Sequence, residues 1–315
     1  MKFNIVSPNK YSAWPLVGAQ NGKIICIYTI ADTHEATQAN LYMKTSFDGR
    51  VWSEKQEVFK EKAGVKGVTG IGNDGAGNAL IWYRDGAPGD HRTKYELYKT
   101  DGNTMKLVCV PDFDFQGSHI GNIFQAENNT LFSFYNTYGL KRSFGILKSL
   151  DDGRSWEQIP IETSVDKPEC PVEIDGFYAG DGKILALGRK DSPDGTIAMF
   201  QIESSDFGVS WSKKYSNVTD SCQSSPFLIF EPKEEKIYLY YFERMTGTLK
   251  RRVAFLSEVW SNPLGWCTPE IIVEESSRGE DTGNVKVVKM DNAHLAVYYA
   301  GTSTTTGIYG VIVQR

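Results

Sequence analysis

Acidic, basic and imidazole side chains in this 315-residue sequence gather at the ends of short apolar runs, where loops can present them. Asp32 and His34 stand two apart, an acid and a base that can share a proton or cap a loop. Tyr83-Arg84-Asp85 with Asp90-His91-Arg92, Tyr138 with Lys141 and Arg142, Arg189-Lys190-Asp191, Glu243-Arg244 and Tyr298-Tyr299 repeat the mixture further along. A second set precedes apolar runs: Asp114 and His119, Glu169 and Glu173, Asp220, Glu280, Asp281 and Asn284. Such residues can move protons and, through arginine, hold small anions. The four His have no metal-ligand spacing, so neither a catalytic metal nor another cofactor is expected.

The elements that position these residues are legible in a repeated turn. Ser46-Phe47-Asp48-Gly49-Arg50-Val51-Trp52, Ser149-Leu150-Asp151-Asp152-Gly153-Arg154-Ser155-Trp156 and Ser204-Ser205-Asp206-Phe207-Gly208-Val209-Ser210-Trp211 are versions of one signature. Its Asp and Ser oxygens can accept from backbone N–H groups, its Gly supplies a positive φ, and its Trp covers the hairpin. The key Asp residues are 103 and 55 positions apart. Halving the longer gap predicts a further copy near residue 100, where Lys99-Thr100-Asp101-Gly102-Asn103-Thr104-Met105 is a degenerate version with Met for Trp. Another step reaches 257–266, SEVWSNPLGW, which keeps the tryptophans and loses the Asp.

These turns resemble the Asp-box, or BNR, repeats of the sialidase superfamily of β-propellers. A period near 50 residues with paired apolar runs before each turn fits four-stranded blades. Expected strands include 15–19 and 23–30 around the hairpin dipeptide Asn21-Gly22, 41–45 and 57–60 around the first Asp box, then 120–125 with 131–135, 177–179 with 184–187, and 227–230 with 237–242. The last period offers 285–290, 295–299 and 308–313, so its fourth strand is expected from residues 2–6. The chain is therefore read as one all-β domain, 1–315: a six-bladed β-propeller of four-stranded antiparallel blades, closed by an N-terminal strand.

In such a blade the turn joining strands 1 and 2 lies on the same side as the turn joining 3 and 4. The Asp boxes then decorate one face, and function belongs to the opposite one, where arginines and carboxyls from different blades converge. Asp48, Asp151 and Asp206 are read as structural. Sialidases use three arginines, an acid/base aspartate and a glutamate-paired tyrosine nucleophile, and the resemblance implies roles by blade position. Asp32 takes the place of the acid/base, Glu173 that of the partner carboxylate, Tyr299 (or Tyr298) that of the nucleophile, and Arg189 and Arg244 those of two arginines. The third arginine, within an Arg-Ile-Pro motif in the family, is missing: Ala13-Trp14-Pro15 stands there, and Trp14 can stack on a sugar or pack in the core.

The candidate catalytic residues are thus Asp32, His119, Glu173 and Tyr299. The candidate substrate-binding residues are Trp14, His34, Arg84, Asp85, Arg189, Glu243, Arg244 and Asn284. The expected function is hydrolysis of an acidic or modified sugar, with Asp32 or Glu173 as proton donor, His119 as helper and Arg84, Arg189 and Arg244 binding anionic groups. A non-catalytic glycan-binding propeller, such as a phage-tail or adhesin receptor-binding module, is the alternative, and a kelch- or WD-like interaction propeller does not account for the Asp boxes.

A net charge of −5 argues against a nucleic-acid surface. Cys26, Cys109, Cys170, Cys222 and Cys267 are odd in number and widely spaced, and read as reduced. The start lacks the apolar segment of a secretory signal, and no run of 18 apolar residues exists, so the expectation is a protein off the membrane, in the cytoplasm or in a phage particle. The expected partner is a carbohydrate; oligomeric state is left open.

Overall fold

The computed structural model describes residues 2–34, 36, 38–60, 66–86, 93–113, 118–191, 198–221, 224–275 and 281–315; Glu35, Asp90, His91, Arg92, Asp114, Cys222 and Glu280 lie outside them. Lys2–Gln20 (β1), Lys23–Ala31 (β2), Ala39–Ser46 (β3) and Gln56–Val58 (β4) open the chain. Four sheets then repeat one plan: Lys66–Asn73 (β5), Ala79–Asp85 (β6), Lys94–Thr100 (β7) and Met105–Cys109 (β8); Ser118–Gln125 (β9), Leu131–Thr137 (β10), Lys141–Ser149 (β11) and Glu157–Asp166 (β12); Val172–Gly180 (β13), Lys183–Arg189 (β14), Phe200–Ser204 (β15) and Ser212–Tyr215 (β16); Phe227–Glu231 (β17), Lys236–Glu243 (β18), Thr248–Phe255 (β19) and Glu270–Glu274 (β20). Asp281–Lys289 (β21), Ala293–Gly301 (β22) and Thr306–Gln314 (β23) end it. All ladders are antiparallel, and every one except that of β23 with β1 joins neighbours in sequence order, the pattern of successive hairpins.

β1 departs from expectation. The separate strand expected at 2–6 is the start of one 19-residue strand. Its first half pairs with β23 (Lys2 opposite Val311, Lys10 opposite Thr306) and its second half with β2 (Tyr11 opposite Ala31, Gln20 opposite Lys23), which joins β21 to β4 in a seven-stranded sheet. Among the described residues no hydrogen-bonded ladder links one of the five sheets to another. Side-chain packing does so instead. The first strands lie against one another in the order β1, β5, β9, β13, β17, β21 and back to β1. Apolar clusters fill the spaces between neighbouring sheets, such as Leu80, Trp82 and Leu97 against Ile120, Leu131 and Tyr135. Second strands such as β2 and β6 are covered on both faces, which is why they read as continuous apolar runs rather than alternating ones.

The repeated turns join β3 to β4, β7 to β8, β11 to β12 and β15 to β16. In the first, Gly49 N–H donates to Ser46 Oγ (2.9 Å) and Arg50 and Val51 N–H to Asp48 Oδ1 (2.9 Å each). The indole N–H of Trp52, Trp156 and Trp211 donates to the Gly carbonyl of its own turn at 3.1, 3.0 and 3.1 Å. The degenerate copy makes the same bonds without a Trp: Gly102 N–H to Thr100 Oγ1 (3.0 Å), and Asn103 and Thr104 N–H to Asp101 Oδ1 (2.8 Å each). These carboxylates are satisfied within their turns, which holds Asp48, Asp101, Asp151 and Asp206 below the usual carboxylate range.

Candidate active site

Five of the six first strands carry one extra residue relative to their partner, at matching heights: between Ala13 and Leu16, Val68 and Gly70, Ile120 and Ile123, Val172 and Asp175, and Gly283 and Lys286. A bulge re-aims a side chain that a regular strand would send elsewhere. Trp14, Glu173 and Asn284 sit in three of these bulges with φ of 50°, 51° and 48°, a region L-residues enter only when the surroundings hold them there. All three line a cavity of about 490 Å³ at the end of the channel remote from the Asp-box turns. A second chamber of about 520 Å³ occupies the other end, and Asp175 borders both.

Glu173 is the most constrained of them. Its N–H donates to Asn136 Oδ1 (2.8 Å), and its carboxylate accepts from Arg189 Nε (2.9 Å), Arg189 Nη2 (3.2 Å) and the Ser225 hydroxyl. Burial alone would raise its pKa; the Arg189 guanidinium, helped by His119, Ser225 and Arg244, overrules burial and holds it far below the usual range. Glu173 is therefore a carboxylate at neutral pH and no source of a proton. Arg189 continues to Asp191 (3.4 Å), which also takes Arg142 (2.9 Å), so its guanidinium is committed to protein carboxylates.

Asp175, two residues on, is the counterpart. Its oxygens accept from Asn122 Nδ2 (2.7 Å) and Leu228 N–H (2.6 Å), yet burial outweighs these bonds and the neighbouring Lys286, and its pKa is raised. One strand thus presents an ionised carboxyl and one biased toward protonation to the same cavity. Environments that push two carboxyls apart are how acid and base roles are separated.

Two arginines differ from Arg189. Arg84 lies across Gly67, where a Cβ would stand 2.8 Å from Nη2, and Arg244 lies against Gly283, where a Cβ would stand 3.1 Å from Nε. Arg244 Nη2 donates to Asn284 Oδ1 (3.3 Å), and the buried Nε of both has no acceptor among the described residues. Among the described residues neither has a carboxylate partner. His119 also lines the cavity; its buried Nδ1 has no partner among the described residues, and burial lowers its pKa to about 4, so it is neutral at pH 7.

The opposite wall is aromatic. Trp14 stands edge-on to His34 (5.2 Å), Tyr11 (5.6 Å) and Tyr299 (6.4 Å). His34 Nδ1 is 2.8 Å from both Asp281 Oδ2 and the Tyr11 hydroxyl. Burial and the adjacent Asp281 raise the Tyr299 pKa, and this residue is 1% exposed.

Of the residues singled out in the sequence, Trp14, His34, Arg84, His119, Glu173 and Asn284 border the cavity. Arg189 lies behind Glu173, Arg244 beside Asn284 and Tyr299 behind Trp14. Asp32 is exposed and outside the cavity wall, Asp85 is half-buried outside it, and Glu243 is paired with Lys250 (2.7 Å). Sequence reasoning missed Tyr11, Asn136, Asp175, Ser225 and Lys286. An alternation signal for Asp175 was present in Glu173-Ile174-Asp175, where the two carboxyls share a strand face.

The fold is sialidase-like. The chain superposes on a protein of unknown function from Dyadobacter fermentans with a TM-score of 0.79 at 16% identity, over 99% of each chain. It superposes on the K499G mutant of NanB sialidase from Streptococcus pneumoniae with a TM-score of 0.74 at 11% identity, over 99% of this chain and 70% of that one. Trypanosoma rangeli sialidase in complex with sialic acid gives 0.68 at 14%, over 98% and 58%. The chain thus spans less than two thirds of the latter's length. At these identities the likeness is one of fold. No family model and no curated protein matches the sequence. Among the described residues no helix is long and apolar enough to cross a membrane, and no group of three or more His, Cys, Asp or Glu is placed to hold a metal.

Proposed function

We propose that the chain is a single-domain, six-bladed propeller of the sialidase superfamily, its sixth blade completed by the start of β1, and that it hydrolyses the glycosidic bond of an acidic or modified sugar. The observation that carries the reading is the pairing of Glu173, held ionised, with Asp175, biased toward protonation, in one cavity flanked by two arginines that no protein carboxylate satisfies among the described residues. Arg84, with Arg244 behind Asn284, holds the anionic group of the sugar. Asp175 donates the proton to the leaving oxygen, and the Glu173 carboxylate faces the positive charge that develops on the ring. Neutral His119 positions the sugar by hydrogen bonding, and Trp14 packs on its apolar face. Asp175 takes the proton-donor role that the sequence offered to Asp32 or Glu173.

The test is turnover of a panel of aryl glycosides and polysaccharides containing neutral, uronic and sialic residues. Asp175→Asn is expected to lose about 10²–10⁴-fold in kcat on substrates with poor leaving groups. Arg84→Gln is expected to raise KM for acidic substrates about tenfold or more and to spare neutral ones. Absence of turnover across the panel, or turnover indifferent to Glu173→Gln and Asp175→Asn, overturns the hydrolase reading; binding without turnover would leave a glycan-binding site.

A further inference from the structure

Lys286 is the unexplained cation of the cavity. It follows the bulge in β21, two residues after Asn284, and borders the cavity at the level of Asp175, near the floor. Its Nζ lies 5.4 Å from the centre of the Phe227 ring, so its stem rests on an apolar surface. Other half-buried lysines that face a carboxylate are ion-paired, Lys250 with Asp220 (2.8 Å) and Glu243 (2.7 Å) and Lys213 with Glu162 (2.6 Å), whereas Lys286 borders a cavity holding two carboxyls and pairs with neither.

Lys286 has no such partner among the described residues. The two carboxyls nearest to it are already engaged, Glu173 by Arg189 and Ser225, and Asp175 by Asn122 and Leu228. Burial lowers its pKa, and Asp175 and Glu173 only partly oppose this. An ammonium kept in an enclosed site without a counter-charge is costly to maintain, and an anion arriving with a ligand would supply what the protein does not.

We infer that Lys286 is a second anion-binding centre, so that the ligand is a sugar carrying a carboxylate at the level of Arg84 and a sulfate ester on its buried end. This rests on the acidic-sugar reading of the cavity. The assignment of groups follows from donor shape. A guanidinium fork matches the two coplanar oxygens of a carboxylate, whereas a single ammonium is a point charge that suits a compact, permanently ionised sulfate. A sulfate needs no proton to be lost or gained near Asp175, and it brings oxygens enough to bond Lys286 without drawing on the Asp175 carboxyl.

Calorimetric titration of the full chain with the disaccharide of glucuronate and N-acetylgalactosamine, compared with its 6-sulfate, tests this. The sulfated form is expected to bind about tenfold tighter or more. In Lys286→Met that ratio falls to about one, with Lys286→Gln as a second variant should the first not fold, and in Lys286→Arg most of the ratio is retained. In Arg84→Gln both disaccharides weaken and the ratio persists. Equal affinity of the two forms for the unaltered protein, or a ratio that survives in Lys286→Met and Lys286→Gln, overturns the inference while leaving the acidic-sugar reading intact. Failure of every uronate and every sialoside to bind overturns both.

Discussion

Glu173→Gln is expected to reduce kcat by about three orders of magnitude while keeping the shape of the cavity. The amide can still accept from Ser225 and from one nitrogen of Arg189, but it no longer offers negative charge to a developing cation. The same change should be costly to the fold. Arg189 would keep only Asp191, at 3.4 Å, as a carboxylate partner in a setting where its side chain is 12% exposed. Removing one partner of a buried pair costs about 3–5 kcal/mol. Because the folded-state pKa of Glu173 lies below its unfolded value, the pair's stabilisation is present above the ordinary glutamate pKa of about 4.3 and is lost as pH falls through the folded value. Asp175 has the opposite sign: its folded pKa is raised, so its contribution to stability is present at low pH and is lost as pH rises through that raised value. If Asp175 is the proton donor, kcat falls on the alkaline side over the same titration, and Asp175→Asn abolishes that limb. Thermal unfolding of wild type and Glu173→Gln from pH 3 to 8, beside kcat profiles, separates the two effects. A glutamine variant with undiminished kcat would remove Glu173 from the chemistry.

The turn signature made most of this architecture legible. Ser, Asp, Gly and Trp have separate jobs in one tight turn, so the motif survives in sequence and marks the period, and the alternating hairpins follow from it. It even located the turn at Thr100 to Met105, where the Trp is gone but Thr100 and Asp101 still bond the backbone. The cavity was less legible because the bulges that build it leave no periodic signal. One added residue reverses which face a side chain takes, so an inner strand read as regular misplaces its neighbours. Glu173 and Arg189 were both singled out, yet their pairing, which the sequence does not announce, depends on the Val172–Asp175 bulge and engages the guanidinium with a protein carboxylate. Asp32 is a different case: loop position in sequence does not say whether a side chain turns inward, and Asp32 is exposed and does not line the cavity. Tyr11 and Ser225 carried no signal, since each is ordinary in composition and its hydrogen-bond partner lies more than twenty positions away, His34 for Tyr11 and Glu173 for Ser225.

Gly70→Ala is expected to be among the most damaging small changes in the chain, because at this point the channel wall is backbone against backbone. A Cβ on Gly70 would stand 1.9 Å from the Gly121 carbonyl oxygen, and one on Gly121 would stand 2.4 Å from that of Ile174. No side chain can rotate away to make room, so β5 and β9 must separate. Overpacking of this kind costs about 3 kcal/mol, or roughly 4–5 °C in Tm for a chain of this size. The separation also reaches the chemistry, since Asn122 accepts from Ile71 N–H (3.2 Å) and donates to Asp175 (2.7 Å), tying the β5–β9 seam to the proposed proton donor. Gly22 is the matched control. It has φ of +77° in the hairpin turn, and a Cβ there would meet nothing within 4 Å, so Gly22→Ala costs only the backbone conformation, about 1 kcal/mol. If the inner strands truly meet at Gly70, its alanine variant unfolds several degrees below that of Gly22 and loses kcat as well as Tm. Equal melting temperatures for the two variants would mean that the strands have room to spare, and that the position of Asp175 does not depend on their contact.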